Sequence, residues 1–262
     1  MKGGIGRDQG RGGQNADMSD DDDAARYAAA AGMLLMELRA RHGAEGGGAA
    51  GLGGAGDRLA NERLLGLLAE EHATDAVLSE ESADNARRLD ADRVWIIDPL
   101  DGTREFSEPG RTDWAVHVAL WERRDGVRAA AVALPAQGQV LGTAIPPVVP
   151  ARTDRRTRVV VSRSRPPAVA QRVAAALDAE LVTLGSAGAK TMAVVSGDVD
   201  AYVHAGGQYE WDSAAPTAVA RAAGLHASRL DGTPLVYNRP DPWLPDLVVC
   251  RRELAEAILA VV

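Results

Sequence analysis

The spacing of apolar positions divides the chain into three stretches. From residue 20 to about 72 they recur every three or four residues, which predicts amphipathic helices. The first, "DDDDAARYAAAAGMLLMELRARH", carries acids at its front and bases at its back, an order that suits the helix dipole. The second is expected to begin at Asp57, after a glycine-rich stretch over 43–56 that reads as a flexible loop. Strand-like runs come next: "AVLS", "VWIID", "WAVHVALW", "VRAAAVALP" and "QVLGTA". Beyond the connector "AIPPVVPARTDRRT" the two periods alternate. Strand "RVVVS" leads to a helix over about 167–178, strand "ELVTL" to a helix over about 188–196, and strand "AYVHA" to a helix over about 212–223. Strand "DLVVC" and a final helix complete the chain.

This pattern predicts an α/β (α+β) fold with helices layered on mixed sheets and no internal repeat. Residues 1–19 are polar, Gly-rich and aperiodic, so they read as a disordered extension, with Met18 a second candidate start. An N-terminal half over 20–150 and a C-terminal half over 151–262 follow.

Composition narrows the function. The 262 residues suffice for one large domain or two small ones, and 46% are hydrophobic although only 4% are aromatic. A net charge of −8 without a basic face argues against nucleic acid as a partner. Cys250 is the only cysteine, which excludes an internal disulfide and suits a reducing compartment. Without a long apolar run or a signal-peptide stretch, the expectation is a cytoplasmic protein with no membrane partner. The acidity poses a question. If the ligand is an anion, something must supply local positive charge.

Candidate chemistry concentrates where strands end. "GLGGAG" at 51–56 matches a dinucleotide-binding spacing, but no apolar strand precedes it, so it stays a loop. "VWIIDPLDGTREF" ends a hydrophobic run in Asp98 and Asp101. Phosphatases that phosphorylate their own aspartate use D-x-D-G-T, and the extra residue here turns the second carboxylate elsewhere, which disfavours that covalent route. A hard divalent cation fits better, because Mg²⁺ takes oxygen ligands from a few carboxylates and a substrate phosphate. Pro99 would stiffen a turn after the strand, and the Leu100 carbonyl could face the side of both aspartates. The Gly102 and Thr103 amides could then open a helix and hold phosphate oxygens. The plain alternative is a capped turn with solvated acids. "VLSEES" also ends a strand in carboxylates, Glu80 and Glu81, and "EWDSAAP" sets Asp212 at a helix start, where it could equally be an N-cap. Three acid-bearing element ends suggest one shared site.

Together "SEES", "WIIDPLDGTREF" and "WDSAAP…AAG" resemble the Mg²⁺-dependent, lithium-sensitive inositol monophosphatase superfamily, from about residue 20 to the C-terminus. "DGTREF", "GSAGAKTMAV" and "LDGTPLVYN" are similar to its bisphosphate nucleotidase branch, the CysQ-type 3′-phosphoadenosine 5′-phosphate phosphatases. The resemblance implies a helix–sheet–helix–sheet–helix sandwich of the inositol monophosphatase and fructose-1,6-bisphosphatase type. It implies a first metal on Glu80, Asp98 and the Leu100 carbonyl, and a second on Asp98, Asp101 and Asp212. Asp57 falls where the family places a partner for a third, weaker metal. Two to three Mg²⁺, with Mn²⁺ as a substitute, would turn the acidic pocket into a phosphate receptor. Thr103 with Glu80 would position the attacking water, with Glu81 behind them, for in-line hydrolysis.

The implied partner is a small phosphate ester: 3′-phosphoadenosine 5′-phosphate, extending to its sulfated relative and linking the chain to sulfate assimilation. A broader inositol or sugar phosphatase is the alternative, and a nucleotide- or metal-sensing protein without turnover is a third. His204 falls near where inositol-selective relatives carry an acid, though it reads equally as structural. Lys190, matched through "GSAGAK" with Ser186 and Gly188, is the candidate anchor for the phosphate that stays. Its plain alternative is a solvated lysine. "VSRSR" offers Ser162, Arg163 and Ser164 to the substrate, or simply ends a strand. A homodimer is left open.

Overall fold

The computed structural model describes residues 19–44, 46–48 and 51–262, so the expected disordered segment up to Met18 lies outside the described residues. Two five-stranded sheets organise the rest. The first holds β1 (Ala76–Ser79), β2 (Arg93–Asp101), β3 (Ala115–Glu122), β4 (Gly126–Leu134) and β5 (Gln139–Gly142) in chain order. Only its β1–β2 pair is parallel. The second holds β6 (Arg158–Ser162), β7 (Glu180–Leu184), β8 (Ala201–Tyr209), β9 (His226–Ser228) and β10 (Trp243–Cys250), in the order β7-β6-β8-β10-β9. β9 has no clear signature in the sequence because it is three residues long.

Helices fill the spaces around the sheets. α1 (Asp20–Ala44) and α2 (Leu52–Glu71) cover the outer face of the first sheet around Trp95, Ile97, Leu100 and Phe106. α5 (Ala187–Val195) and α6 (Glu210–Ala222) lie between the sheets, in a core that joins Val94 and Ile96 to Met192, Ala214 and Leu247. α4 (Ala168–Ala176) and α7 (Arg252–Leu259) close the far face of the second sheet. The result is helix, sheet, helix, sheet, helix, as expected.

Two expectations fail here, each for a packing reason. The glycine stretch is not simply a loop, since α2 starts at Leu52 and Asp57 sits inside the helix. A helical glycine costs about 1 kcal/mol against alanine, and close approach explains two of them. A Cβ at Gly56 would lie 2.9 Å from both Leu100 Cδ2 and Phe106 Cε1, and one at Gly53 would lie 2.5 Å from Thr103 Cγ2. These glycines let α2 press onto α3 (Thr103–Ser107), which brings Asp57 to Thr103. The last-but-one helix likewise starts earlier than 212, at Glu210, so Asp212 is not its N-cap.

One clamp joins the acid-bearing segments. Arg88 is buried and donates to Asn238 Oδ1 (2.7 Å) and the Arg239 carbonyl (2.9 Å) while pairing with Asp84. Glu210, the first residue of α6, accepts from the Asn238 and Arg239 amides at 2.6 and 2.9 Å. The loop after Glu80 and the start of α6 are thereby held to one segment. Asp84 is half exposed, so the ion pair itself contributes little. The buried acceptors matter more, because orphaning them is costly. Arg88→Leu is expected to lower unfolding free energy by about 2–4 kcal/mol. Urea denaturation checks this, and a loss under about 0.5 kcal/mol would reject the clamp.

Candidate metal and phosphate site

The central fact of the site is a β-bulge. Along β2, Val94 and Ile96 face the space between the sheets while Trp95 and Ile97 face α1 and α2. In a regular strand Asp98 and Asp101, three apart, would point to opposite faces. The register shows otherwise: Asp98 pairs with His117 and Asp101 with Ala115, three residues on β2 spanning two on β3. The extra residue resets the alternation. Both aspartates therefore face the middle layer, and Leu100 points back into the outer core. The turn expected at Pro99 is this bulge, where a residue lacking an N–H is tolerated. Gly102 then takes a left-handed conformation (φ 90°) and starts α3.

The burial this creates raises most of the carboxyl pKa values and leaves one oxygen unpartnered. Asp98 is fully buried; its Oδ1 accepts the Leu100 amide at 3.1 Å, but Oδ2 has no hydrogen-bond partner. Desolvation, then the charges of Glu80, Asp101 and Asp212, hold its pKa well above the ordinary carboxylate value. Glu80 is exposed as a residue, but its carboxyl end meets Asp98; burial of that end and the charges of Asp212 and Asp101 raise it to about 7. Burial followed by the Asp101 charge raises Asp212 to about 6. Burial and the Glu81 charge likewise raise Asp57 to about 6.

Asp101 behaves oppositely. Burial works to raise it, yet His117, the Lys190 charge and the Gly188 amide (2.6 Å) together bring it down to about 2. His117 was not anticipated from the sequence. It is fully buried, with Nε2 3.2 Å from Asp101 Oδ2 and Nδ1 3.0 Å from the Trp211 carbonyl. Asp98, Asp101 and His117 offer atoms within 4.8 Å of one another, a group able to hold a metal ion. The signal was available, since His117 stands two residues before Ala119 in an otherwise apolar strand and interrupts its buried face.

The other expected residues fall into place unequally. Thr103 Oγ1 lies 3.3 Å from Asp57 Oδ1 and 3.2 Å from the Leu100 carbonyl, so these three groups meet. Asp212 Oδ2 accepts the Tyr209 amide at 2.6 Å, a capping role from the third helical position that coexists with its place among the acids. Ser79 and Ser82 bond to Asn61, one turn along α2 from Asp57, which fixes the loop carrying Glu80 and Glu81. Ser186 caps α5 through the Ala189 amide and sits against Gly102.

Lys190 is not the solvated lysine of the plain alternative. It is only 3% exposed, and its ammonium donates to the Gly185 and Ser186 carbonyls at 2.5 and 2.8 Å. Two of its three donors are thus engaged, and its charge acts on Asp101 and Asp212. Arg163 binds Glu105 and Glu108, and Ser162 accepts the Arg165 amide, so both are engaged within the protein rather than with the acids. Ser164 lies 3.5 Å from Ser162. His204 bonds the Gly207 carbonyl at 3.1 Å.

Gly188 shows how tightly the centre is closed. A Cβ there would fall 2.1 Å from His117 Nε2 and 3.1 Å from Ala115 Cβ. Gly188→Ala is expected to displace His117 from Asp101 and cost about 1–3 kcal/mol by overpacking. A wild-type melting curve, or an unchanged His117 imidazole NMR signal, would contradict this geometry.

Known proteins resemble the chain over most of its length. The 3′-phosphoadenosine 5′-phosphate phosphatase of Mycobacterium leprae is 54% identical over 258 residues, covering 94% of this chain and 94% of that protein. The protein of the same name from Mycobacterium tuberculosis is 55% identical over 239 residues, 88% of this chain and 89% of that one. Among solved structures, CysQ from Bacteroides thetaiotaomicron aligns with a TM-score of 0.71 at 25% identity, covering 87% of this chain and 96% of that one. Staphylococcal IMPase-II has a TM-score of 0.75 at 18% identity, with 93% and 94% covered, a likeness of fold alone. The inositol monophosphatase family model matches residues 17–262, which takes in both sheets and every acid of the site, and the chain belongs to the inositol monophosphatase family.

Proposed function

We propose that the chain is a Mg²⁺-dependent phosphatase that removes the 3′-phosphate of 3′-phosphoadenosine 5′-phosphate, leaving AMP and phosphate. The observation that carries the metal-dependent chemistry is the bulge that buries Asp98 beside Asp101 with one Asp98 oxygen unpartnered. The substrate reading rests on the activity named for the mycobacterial relatives, which match nearly the whole chain. Action on the sulfated nucleotide, and with it a role in sulfate assimilation, belongs to the same proposal.

The donor set fits hard cations, being mostly carboxylate oxygens with the Leu100 carbonyl. Glu80, Asp98, Leu100, Asp101 and Asp212 would hold two Mg²⁺ ions, with Asp57 beside a third. When bound, these ions supply positive charge for the phosphoryl oxygens and acidify water. Around them the chain does the orienting. Asp57 accepts a hydrogen bond from the Thr103 hydroxyl, which would leave the Thr103 oxygen to accept from the attacking water, and Glu80 would take the water's proton. The water oxygen would bond phosphorus as the 3′ P–O bond breaks, and the leaving 3′ oxygen would take up a proton from solvent, to which Glu80 would return the one it accepted. The Gly102 and Thr103 amides, at the start of α3, would donate to the phosphate oxygens. Lys190, with one donor left, holds positive charge for the phosphate that stays.

Chelation with confirmed metal removal is expected to abolish phosphate release from 3′-phosphoadenosine 5′-phosphate. Mg²⁺ should restore it, and Ca²⁺, with its looser coordination, should inhibit. Full activity in chelator would sink the mechanism. In a substrate panel, preference for inositol 1-phosphate or fructose 1,6-bisphosphate would replace the nucleotide reading.

Asp101→Asn is expected to keep the fold and lower turnover by about 100-fold or more. Near wild-type rates at modest Mg²⁺ would move Asp101 away from the metals.

Stability should follow pH in the metal-free protein. Asp57, Glu80 and Asp212 have folded-state values of about 6, about 7 and about 6, against about 4 when unfolded. The folded state therefore holds more protons between about pH 4 and 7, and stability falls as pH rises through that window. Asp101, lowered to about 2, acts oppositely but only below that window. Thermal melts should give a lower Tm at pH 8 than at pH 5.5, and Mg²⁺ should raise Tm most at pH 8. A Tm that rises with pH in chelator would contradict the placement of these acids.

A further inference from the structure

An exposed aromatic cluster lies beside the acids and takes no part in the chemistry above. Tyr209 and Trp243 are direct cross-strand partners on β8 and β10, so their side chains leave the same face of the sheet. They are 45% and 43% exposed. Trp211 stacks on Tyr209, with ring centroids 4.8 Å apart and planes inclined by 11°. Trp243 crowds Gly207, where a Cβ would meet indole Nε1 at 2.5 Å, so residue 207 can raise no side chain over these rings. In a chain with only five Trp, four Tyr and one Phe, three rings gather here. Core filling does not account for the two exposed ones.

The cluster is tied to the acidic centre twice. The Tyr209 amide donates to Asp212 Oδ2 at 2.6 Å, and the Trp211 carbonyl meets His117 Nδ1 at 3.0 Å. A ligand whose phosphate sits among Asp98, Asp101 and Asp212 therefore has aromatic surface within the same short segment. Scattered exposed apolar residues need no explanation, but contiguous rings at a ligand site do.

We propose that Tyr209, backed by Trp211 and flanked by Trp243, is the stacking platform for the purine base of the substrate, and that it sets the preference for nucleotides over inositol and sugar phosphates. This rests on the phosphatase reading above. A purine offers a π-face that stacks on an aromatic ring in offset fashion, whereas inositol and sugar rings offer none. Trp211 holds the Tyr209 ring before the ligand arrives, so little side-chain freedom is lost on binding.

The test compares Tyr209→Leu, which keeps apolar bulk without a π-face, with Tyr209→Phe, which keeps the ring. With Mg²⁺ present, Tyr209→Leu is expected to lower kcat/KM for 3′-phosphoadenosine 5′-phosphate by about 10-fold, mainly through KM. The loss on inositol 1-phosphate should be at least several-fold smaller, and Tyr209→Phe should stay within about twofold of wild type on the nucleotide. Equal losses on both substrates, or a Phe variant as damaged as the Leu variant, would overturn the platform. AMP titration followed by tryptophan fluorescence gives a readout independent of turnover. Wild type and Tyr209→Phe should bind AMP about 10-fold more tightly than Tyr209→Leu. If wild type fails to hydrolyse the nucleotide, the phosphatase reading fails, and this titration still decides the platform. Equal AMP affinity in all three proteins rejects it.

Discussion

Everything at this centre depends on one constraint: two carboxylates three residues apart must share a buried face. A pleated strand forbids that, and the single extra residue between Asp98 and Asp101 makes it possible. The residue that separates "DPLDGT" from the aspartyl-phosphate motif would by itself turn the second carboxylate away, as expected from the sequence; absorbed as a bulge, it leaves both on one side. The cost is local and large. A fully buried Asp98 with an unpartnered oxygen would be unfavourable by several kcal/mol if charged and alone. Neighbouring acids on Glu80 and Asp212 add to it rather than relieve it. A cation bound among these acids would relieve that cost.

The protein's own cations are distributed selectively. His117, Lys190 and the Gly188 amide all act on Asp101, and together they outweigh its burial. Asp98 accepts the Leu100 amide, and His117 Nδ1 stands farther off, 3.8 Å from its Oδ2. One aspartate is therefore kept ionised by the fold, and the other is left a buried carboxyl whose unpartnered oxygen could meet a cation. This division answers the question raised by the net charge of −8. Positive charge for an anionic ligand need not come from a basic surface when it can be recruited by acids.

Much of this was legible in the sequence, and the exceptions have physical causes. Strand and helix positions followed from period because most elements bury one face. The acid-bearing strand ends were visible because carboxylates after an apolar run are conspicuous. Asp57 was expected to begin a helix after a loop, because glycine signals flexibility by propensity; Gly53 and Gly56 instead serve contact with Thr103 and Leu100, which only the tertiary fold reveals. His117 was missed since a lone histidine in a strand is usually structural, and its partner lies on the neighbouring strand. In the sequence Lys190 reads as a phosphate anchor or a solvated lysine, and Arg163 as a substrate contact or a strand end. Their partners, the Gly185 and Ser186 carbonyls and the Glu105 and Glu108 carboxylates, depend on loop geometry that sequence spacing does not encode.

Asp212 shows how a structural and a chemical role combine in one side chain. Its Oδ2 accepts the Tyr209 amide, which fixes the carboxyl's orientation, while burial and then the charge of Asp101 keep its pKa raised. The capping bond also fixes the backbone that carries Tyr209 and Trp211. Because the Trp211 carbonyl in turn engages His117, the chain from Asp101 through His117 to α6 is continuous. A cation drawn to Asp98 and Asp101 would thus act on a segment already locked at both ends. Such rigidity would suit a metal centre, since one loose by an ångström would misplace a bound phosphate. The buried clamp through Arg88 and Glu210 extends that rigidity to the loop bearing Glu80. The acids come from four separate elements, and a short network of buried polar contacts, rather than any single strand or helix, holds them in register.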